Sequence, residues 1–184
     1  MKEYIIFAGV NGAGKSTFYN IYRKAGNMER INTDEIVRQF GKWSNPNDVL
    51  KAGKIAVERI SEYFEKGISF NQETTLCGKS IIRNIKKARE LGYHIELYFV
   101  GLDSAEIAKE RIAHRVATGG HGIPDKDVER RYVESLENFK KVLSMVDYAA
   151  VYDNTINFRQ VAVYSNGNLF EVDDNPPEWF KKLF

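Results

Sequence analysis

The chain has 184 residues, 43% of them hydrophobic and including 11 Phe and 10 Tyr, which is enough apolar material for one core and predicts one undivided domain over residues 1–184. A net charge of +2 is too mild to announce a nucleic-acid partner, although it leaves room for a local basic cluster, so nucleic acid is not an expected partner. The one cysteine, Cys77, rules out an internal disulfide and any zinc site of several thiolates.

The chain opens on an apolar run at 4–8 that has no signal-type cleavage site after it and reads as a first strand. No run reaches the roughly 18 apolar residues of a spanning helix, so a cytoplasmic protein without a membrane partner is expected. Directly after this strand, Gly9, Val10, Asn11, Gly12, Ala13, Gly14, Lys15, Ser16 and Thr17 fit the P-loop pattern at every fixed position. Each position answers a need of a bound polyphosphate. Glycines let successive amides turn toward anionic oxygens. Lys15 supplies a mobile ammonium between the β- and γ-phosphates, Ser16 offers a hydroxyl to Mg²⁺, and the helix opening at Lys15 points its positive end at the phosphates. ATP and Mg²⁺ are the expected ligands, with residues 9 and 11–17 as the binding loop.

The first helix is expected over 15 to about 24, with Gly26 beyond its end. Ile31, Asn32, Thr33 and Asp34 follow, where a second β-element delivers Asp34 to the carboxyl edge of the sheet. Asp34 is the candidate base that orients an attacking hydroxyl, with helix capping as its alternative role. Helices are predicted at 34–40, 48–66, 80–91, 105–117 and 125–145, with Gly41, Gly67 and Gly92 at their ends, and strands at 68–71, 93–101, 148–151 and 161–164. The strand begun at 68 finishes in a polar cluster in which Glu73 and Thr75, two residues apart, are expected to face one acceptor. Asp103 reads either as a metal-supporting acid or as a helix cap. Asn166-Gly167 predicts a hairpin turn to a short edge strand at 168–173, and Pro176-Pro177 a last short helix.

Between two helical segments, 118–124 holds three glycines and a proline and must be a loop. Arg111, Arg115, Arg130 and Arg131 flank it, the make-up of a lid closing over phosphates across about 111–131. His94, His114 and His121 show no metal-ligand spacing. The alternation of elements predicts a three-layer α/β P-loop NTPase with a mostly parallel five-stranded sheet, helices on both faces and a helical lid.

Five pieces together resemble the zeta-toxin-like P-loop kinases, in the branch labelled predicted ABC-type ATPase: residues 9–17, 31–35, 73–76, 115–124 and 130–132, a set spanning about 4–153. The resemblance implies an adenylate-kinase-like fold and transfer of the γ-phosphoryl group of ATP to a hydroxyl of a small acceptor, which for zeta toxins is a uridine-diphosphate amino sugar. An antitoxin protein is the partner it implies. Lys15 matches the phosphate lysine, Asp34 the base, Glu73 and Thr75 the substrate-side pair, and Arg115 a transition-state arginine. This chain departs where toxin members carry a second lid arginine: His121 stands there, so Arg130 or Arg131 has to supply the charge. Two other readings are a nucleotide-dependent switch that phosphorylates nothing and a polynucleotide kinase. The chain lacks Asn-Lys-x-Asp, Asp-x-x-Gly and Leu-Ser-Gly-Gly-Gln motifs, which speaks against GTPase switches and ABC transporter ATPases.

Overall fold

A computed structural model describes residues 1–22 and 27–184. The strand β1 (Glu3–Ala8) runs through its centre, and its side chains divide by the period of two. Tyr4, Ile6 and Ala8 enter one core and Ile5 and Phe7 the other, all at 0% exposure. Full burial of residues such as Ile5, Ile6 or Phe7 contributes about 1.5–3 kcal/mol each. A strand covered on both sides reads as an unbroken apolar run, which is why no alternation marks it.

Among the described residues seven strands form the sheet, in the order β2-β3-β1-β4-β5-β6-β7. The strands β2 (Glu29–Ile31), β3 (Phe70–Thr74), β1, β4 (His94–Gly101) and β5 (Tyr148–Asp153) pair in parallel. β6 (Arg159–Ser165) and β7 (Asn168–Val172) extend the sheet antiparallel. The expected five strands are therefore too few. β2 has three residues, too short for a pattern, and β7 is exposed along its whole length, so neither carries a core signature.

Helices cover both faces. The helices α2 (Thr33–Phe40), α3 (Pro46–Lys66), α4 (Lys79–Glu90), most of α6 (Asp125–Val142) and the short α7 (Glu178–Lys181) bury residues such as Val37, Ile60, Ile85, Phe139 and Trp179 in the larger core. The smaller core takes Phe18 of α1 (Lys15–Ile21), Ala108 and Ile112 of α5 (Ala105–Ala117) and Val128 of α6. Sequence-based bounds move by a residue or two because caps lie earlier than expected. Asn45 caps α3 ahead of Pro46, and Asn32 caps α2 so that it opens at Thr33. The segment expected to reach 145 stays α-helical to Val142 and tightens into a 3₁₀ turn at Leu143–Met145. The first helix, expected to run to about 24, ends at Ile21, because Tyr22 turns to extended backbone (φ −83°, ψ 93°), and the cap expected at Gly26 falls outside the described residues.

Candidate active site

The carboxyl ends of β1, β2 and β3 open into one cleft of about 1380 Å³, lined by P-loop residues, the start of α2, the end of β3 and the lid. Where the P-loop leaves β1, Gly9 has φ +143°, and a Cβ there would stand 2.2 Å from the Val100 carbonyl oxygen. No other residue fits that approach. Lys15 is 8% exposed, and its ammonium donates to the Val10 carbonyl at 3.1 Å, curling back over the loop. Burial pushes its pKa down, while the Glu73 and Asp34 carboxylates oppose that shift.

Glu73 stands on the phosphate side of the cleft. The Ser16 hydroxyl donates to its Oε1 at 2.8 Å, and Arg30 Nη2 and Asn32 Nδ2 donate to Oε2 at 2.8 and 2.9 Å. Glu73 and Thr75, the expected acceptor-facing pair, both border the cleft, with Glu73 inside β3 and Thr75 just past its end at Thr74. The chain then turns at Leu76, whose φ is +62°. Leu76 is held in that conformation by Asn138, whose Nδ2 donates to its carbonyl at 2.9 Å, and by its own amide donating to Thr74 Oγ1 at 3.0 Å. Thr75 still lines the cleft, beside Cys77. Burial raises the Cys77 thiol pKa.

Asp34 does not cap its helix. Asn32 does, with Oδ1 accepting from the amides of Asp34 and Glu35, which leaves the Asp34 carboxylate 37% exposed in the cleft. Its near neighbour is His121, whose Nε2 lies 3.6 Å from Asp34 Oδ2 and whose ring stacks on Trp43 at 4.2 Å and 13°. Burial lowers the imidazole pKa, with Asp34 pulling the other way, and the net direction keeps His121 neutral near pH 7.

Among the lid arginines the geometry separates three situations. Arg115 spends Nε and Nη2 on the His121 carbonyl at 3.2 and 2.8 Å, pinning the loop on itself. Gly120 lies so close over Arg115 that a Cβ would stand 2.5 Å from its Cγ. Arg131 reaches the P-loop, with Nη1 donating to Asn11 Oδ1 at 2.9 Å. Arg130 pairs along its own helix with Asp127 and Glu134, and Arg111 donates to the carbonyls of Asn154 and Thr155. Asp103 is absent from the cleft lining, and the cap of α5 is Ser104. Arg30, unremarked in the sequence, lies with its guanidinium 3.5 Å from the centre of the Tyr19 ring; an isolated arginine before a motif gives no local signal.

A parallel-centred sheet, a glycine loop leading into a helix, and lid arginines above it define a P-loop kinase fold. The chain belongs to the zeta toxin family, whose family model matches residues 1–175. It is 34% identical over 128 residues to an uncharacterized protein of Haemophilus influenzae, covering 70% of this chain and 91% of that one. Among solved structures it is similar to one from the PezAT chromosomal toxin-antitoxin system of Streptococcus pneumoniae, at 18% identity and a TM-score of 0.67, over 89% of this chain and 72% of that one. It is also similar to the AvrRxo1-ORF1:-ORF2 structure with ATP, at 14% identity and a TM-score of 0.74; all of this chain matches there, spanning 63% of the other. At these identities the structural likeness carries the fold alone. Family and fold together support an ATP-dependent kinase. None of the described helices is long and apolar enough to cross a membrane.

Proposed function

We propose that the chain transfers the γ-phosphoryl group of ATP to a hydroxyl of a small acceptor held against Asp34. One observation carries this reading: the Asp34 carboxylate, released from capping by Asn32, shares a cleft with Lys15, Ser16 and Arg131. In the reaction the bond between the γ-phosphorus and the β-phosphate bridging oxygen breaks, and a bond to the acceptor oxygen forms. Asp34 aligns the hydroxyl and takes its proton late. Lys15 and the amides of residues 11–17 hold the phosphate chain. Arg131, already at Asn11, supplies charge where it develops, and Arg115 joins it once freed from the His121 carbonyl.

The donor set suits Mg²⁺. A hard cation of this kind is bound by one or two oxygen side chains together with substrate phosphates, and Ser16 and Glu73 present such oxygens 2.8 Å apart. Among the described residues no group of three or more His, Cys, Asp and Glu could hold a metal by itself. When bound, Mg²⁺ supplies charge neutralisation at the β- and γ-phosphates.

For the acceptor, family membership favours a uridine-diphosphate amino sugar, and the likeness to a structure from a toxin-antitoxin system of Streptococcus pneumoniae supports an antitoxin-like protein as partner. Incubation of the purified protein with Mg-ATP and a panel of nucleotide sugars, nucleosides and sugars tests the reading. A phosphorylated acceptor is expected, lost in Asp34→Asn with ATP binding retained. Full activity in that variant removes Asp34 as the base, and slow ATP hydrolysis with no acceptor in the panel points to the switch.

A further inference from the structure

Asn32 uses both ends of its amide. Oδ1 accepts from the Asp34 amide at 2.9 Å and the Glu35 amide at 3.4 Å, forming the N-cap of α2. Nδ2 donates to Glu73 Oε2 at 2.9 Å and to Glu35 Oε1 at 3.3 Å. The residue is only 5% exposed. Capping alone does not require asparagine, because serine and aspartate cap about as well. An ionised aspartate has no donor for the neighbouring carboxylate, and the serine hydroxyl, a single bond from Cβ, is too short to cap and reach on to it.

That carboxylate is Glu73, which also accepts from Ser16 and from Arg30. Arg30 in turn pairs with Glu35 at 2.9 Å and covers the Tyr19 ring, so the outer side of the cluster is closed. A chain of direct contacts thus runs from the P-loop hydroxyl through Glu73 and Asn32 to the backbone that carries Asp34. We propose that Asn32 is a positioning residue that couples the phosphate-and-metal end of the cleft to Asp34, holding Glu73 with one side of its amide and the first turn of α2 with the other. The proposal rests on the kinase reading of this cleft. Asn32 touches no reacting atom; it keeps Glu73 beside Ser16 and fixes where the Asp34 carboxylate stands when nucleotide is present.

Three variants separate this role from capping. Asn32→Ser keeps the cap and loses the reach to Glu73. Asn32→Asp keeps the cap and sets two carboxylates against each other. Asn32→Ala loses both functions. Calorimetric titration with ATP at a series of Mg²⁺ concentrations provides a readout independent of turnover. In Asn32→Ser the Mg²⁺ concentration for half-maximal ATP affinity should rise about tenfold, and further in Asn32→Asp, as expected for losing a hydrogen bond to a charged group. The thermal midpoint of Asn32→Ser should stay within a few degrees of the parent while that of Asn32→Ala falls. With an acceptor in hand, kcat should drop while the KM for ATP at saturating Mg²⁺ holds. Parental Mg²⁺ dependence in Asn32→Ser overturns the proposal, whether or not its thermal midpoint falls. Failure of the parent protein to bind Mg-ATP removes the kinase reading and this proposal with it, whereas Mg-ATP binding unaffected by Asn32→Ser and Asn32→Asp removes this proposal alone.

Discussion

The Arg131 guanidinium donates to Asn11 Oδ1 across 120 positions of sequence, joining the helix after the lid to the middle of the P-loop. Arg130, its neighbour, faces along α6 and pairs with Asp127 and Glu134. Both line the cleft, but adjacent residues on a helix point about 100° apart, so Arg131 reaches the P-loop while Arg130 stays paired along the helix.

Replacing Arg131 should therefore cost far more than replacing Arg130. Arg131→Ala is expected to lower kcat about 10²- to 10³-fold, the range for losing a fixed donor to developing charge. Arg131→Lys should recover little, since an ammonium cannot reproduce the guanidinium fork. Arg130→Ala should stay within about threefold, because surface pairs of this kind contribute little. Steady-state kinetics on the three variants decide the assignment, and equal losses at both positions would contradict it.

Asp34→Asn should lower kcat about 10²- to 10⁴-fold, as removal of a positioned general base does. The thermal midpoint should barely move, because the cap of α2 belongs to Asn32. A differential scanning measurement alongside the kinetics separates a lost base from a lost fold. A fall of many degrees would mean that the carboxylate is structural.

Burial sets the pH response of the lid. The folded-state pKa of His121 lies below its unfolded value of about 6.5. The unfolded chain then binds the proton more readily, so this contribution is fully present above the unfolded pKa and is lost as pH falls toward the folded one. On the ring's own loop and on the elements packed against it, Asp34 favours protonation while Arg115 and Arg38 oppose it. Thermal midpoints measured across about pH 5 to 8 should therefore fall on the acid side. His121→Gln, with no titrating ring, should flatten that slope; an unchanged slope would assign it to other groups.

Two glycines should respond in opposite directions. Gly53 lies inside α3 with nothing within 4 Å of an added Cβ, so Gly53→Ala should stabilise the protein by about 0.5–1 kcal/mol. Gly9→Ala drives a methyl into the Val100 carbonyl at 2.2 Å and should abolish nucleotide binding together with much of the stability. Chemical denaturation and ATP titration report both effects, and a Gly9→Ala protein of parental stability would refute the close approach.

Much of the fold was readable because its signals are local. The P-loop has fixed spacing and the central strands are apolar runs, although the caps at Asn45 and Ser104 were missed, with α3 expected to open at 48 and Asp103 weighed as the cap of α5. A second β-element and an edge strand at 168–173 were also expected, but the count of five left them out: β2 is three residues beside β3, and β7 lies exposed against β6. The site divided in the same way. Lys15 and Ser16 were legible from spacing, whereas the partners of Glu73 were not, because Ser16 and Arg30 lie 57 and 43 positions away from it.

By itself the sequence determined the glycine loop that opens α1, the α/β alternation, the glycine-rich loop at 118–124 and the set of candidate charges, since each depends on residue type and on spacing within a few turns of chain. Tertiary structure decided which charge lies where: Arg131 and not Arg130 at the P-loop, Glu73 at Ser16, and Asp34 left open because Asn32 caps its helix. Hydrogen-bond partners are chosen by approach within about 3 Å, and that approach exists only after sheet pairing has brought distant segments to one edge.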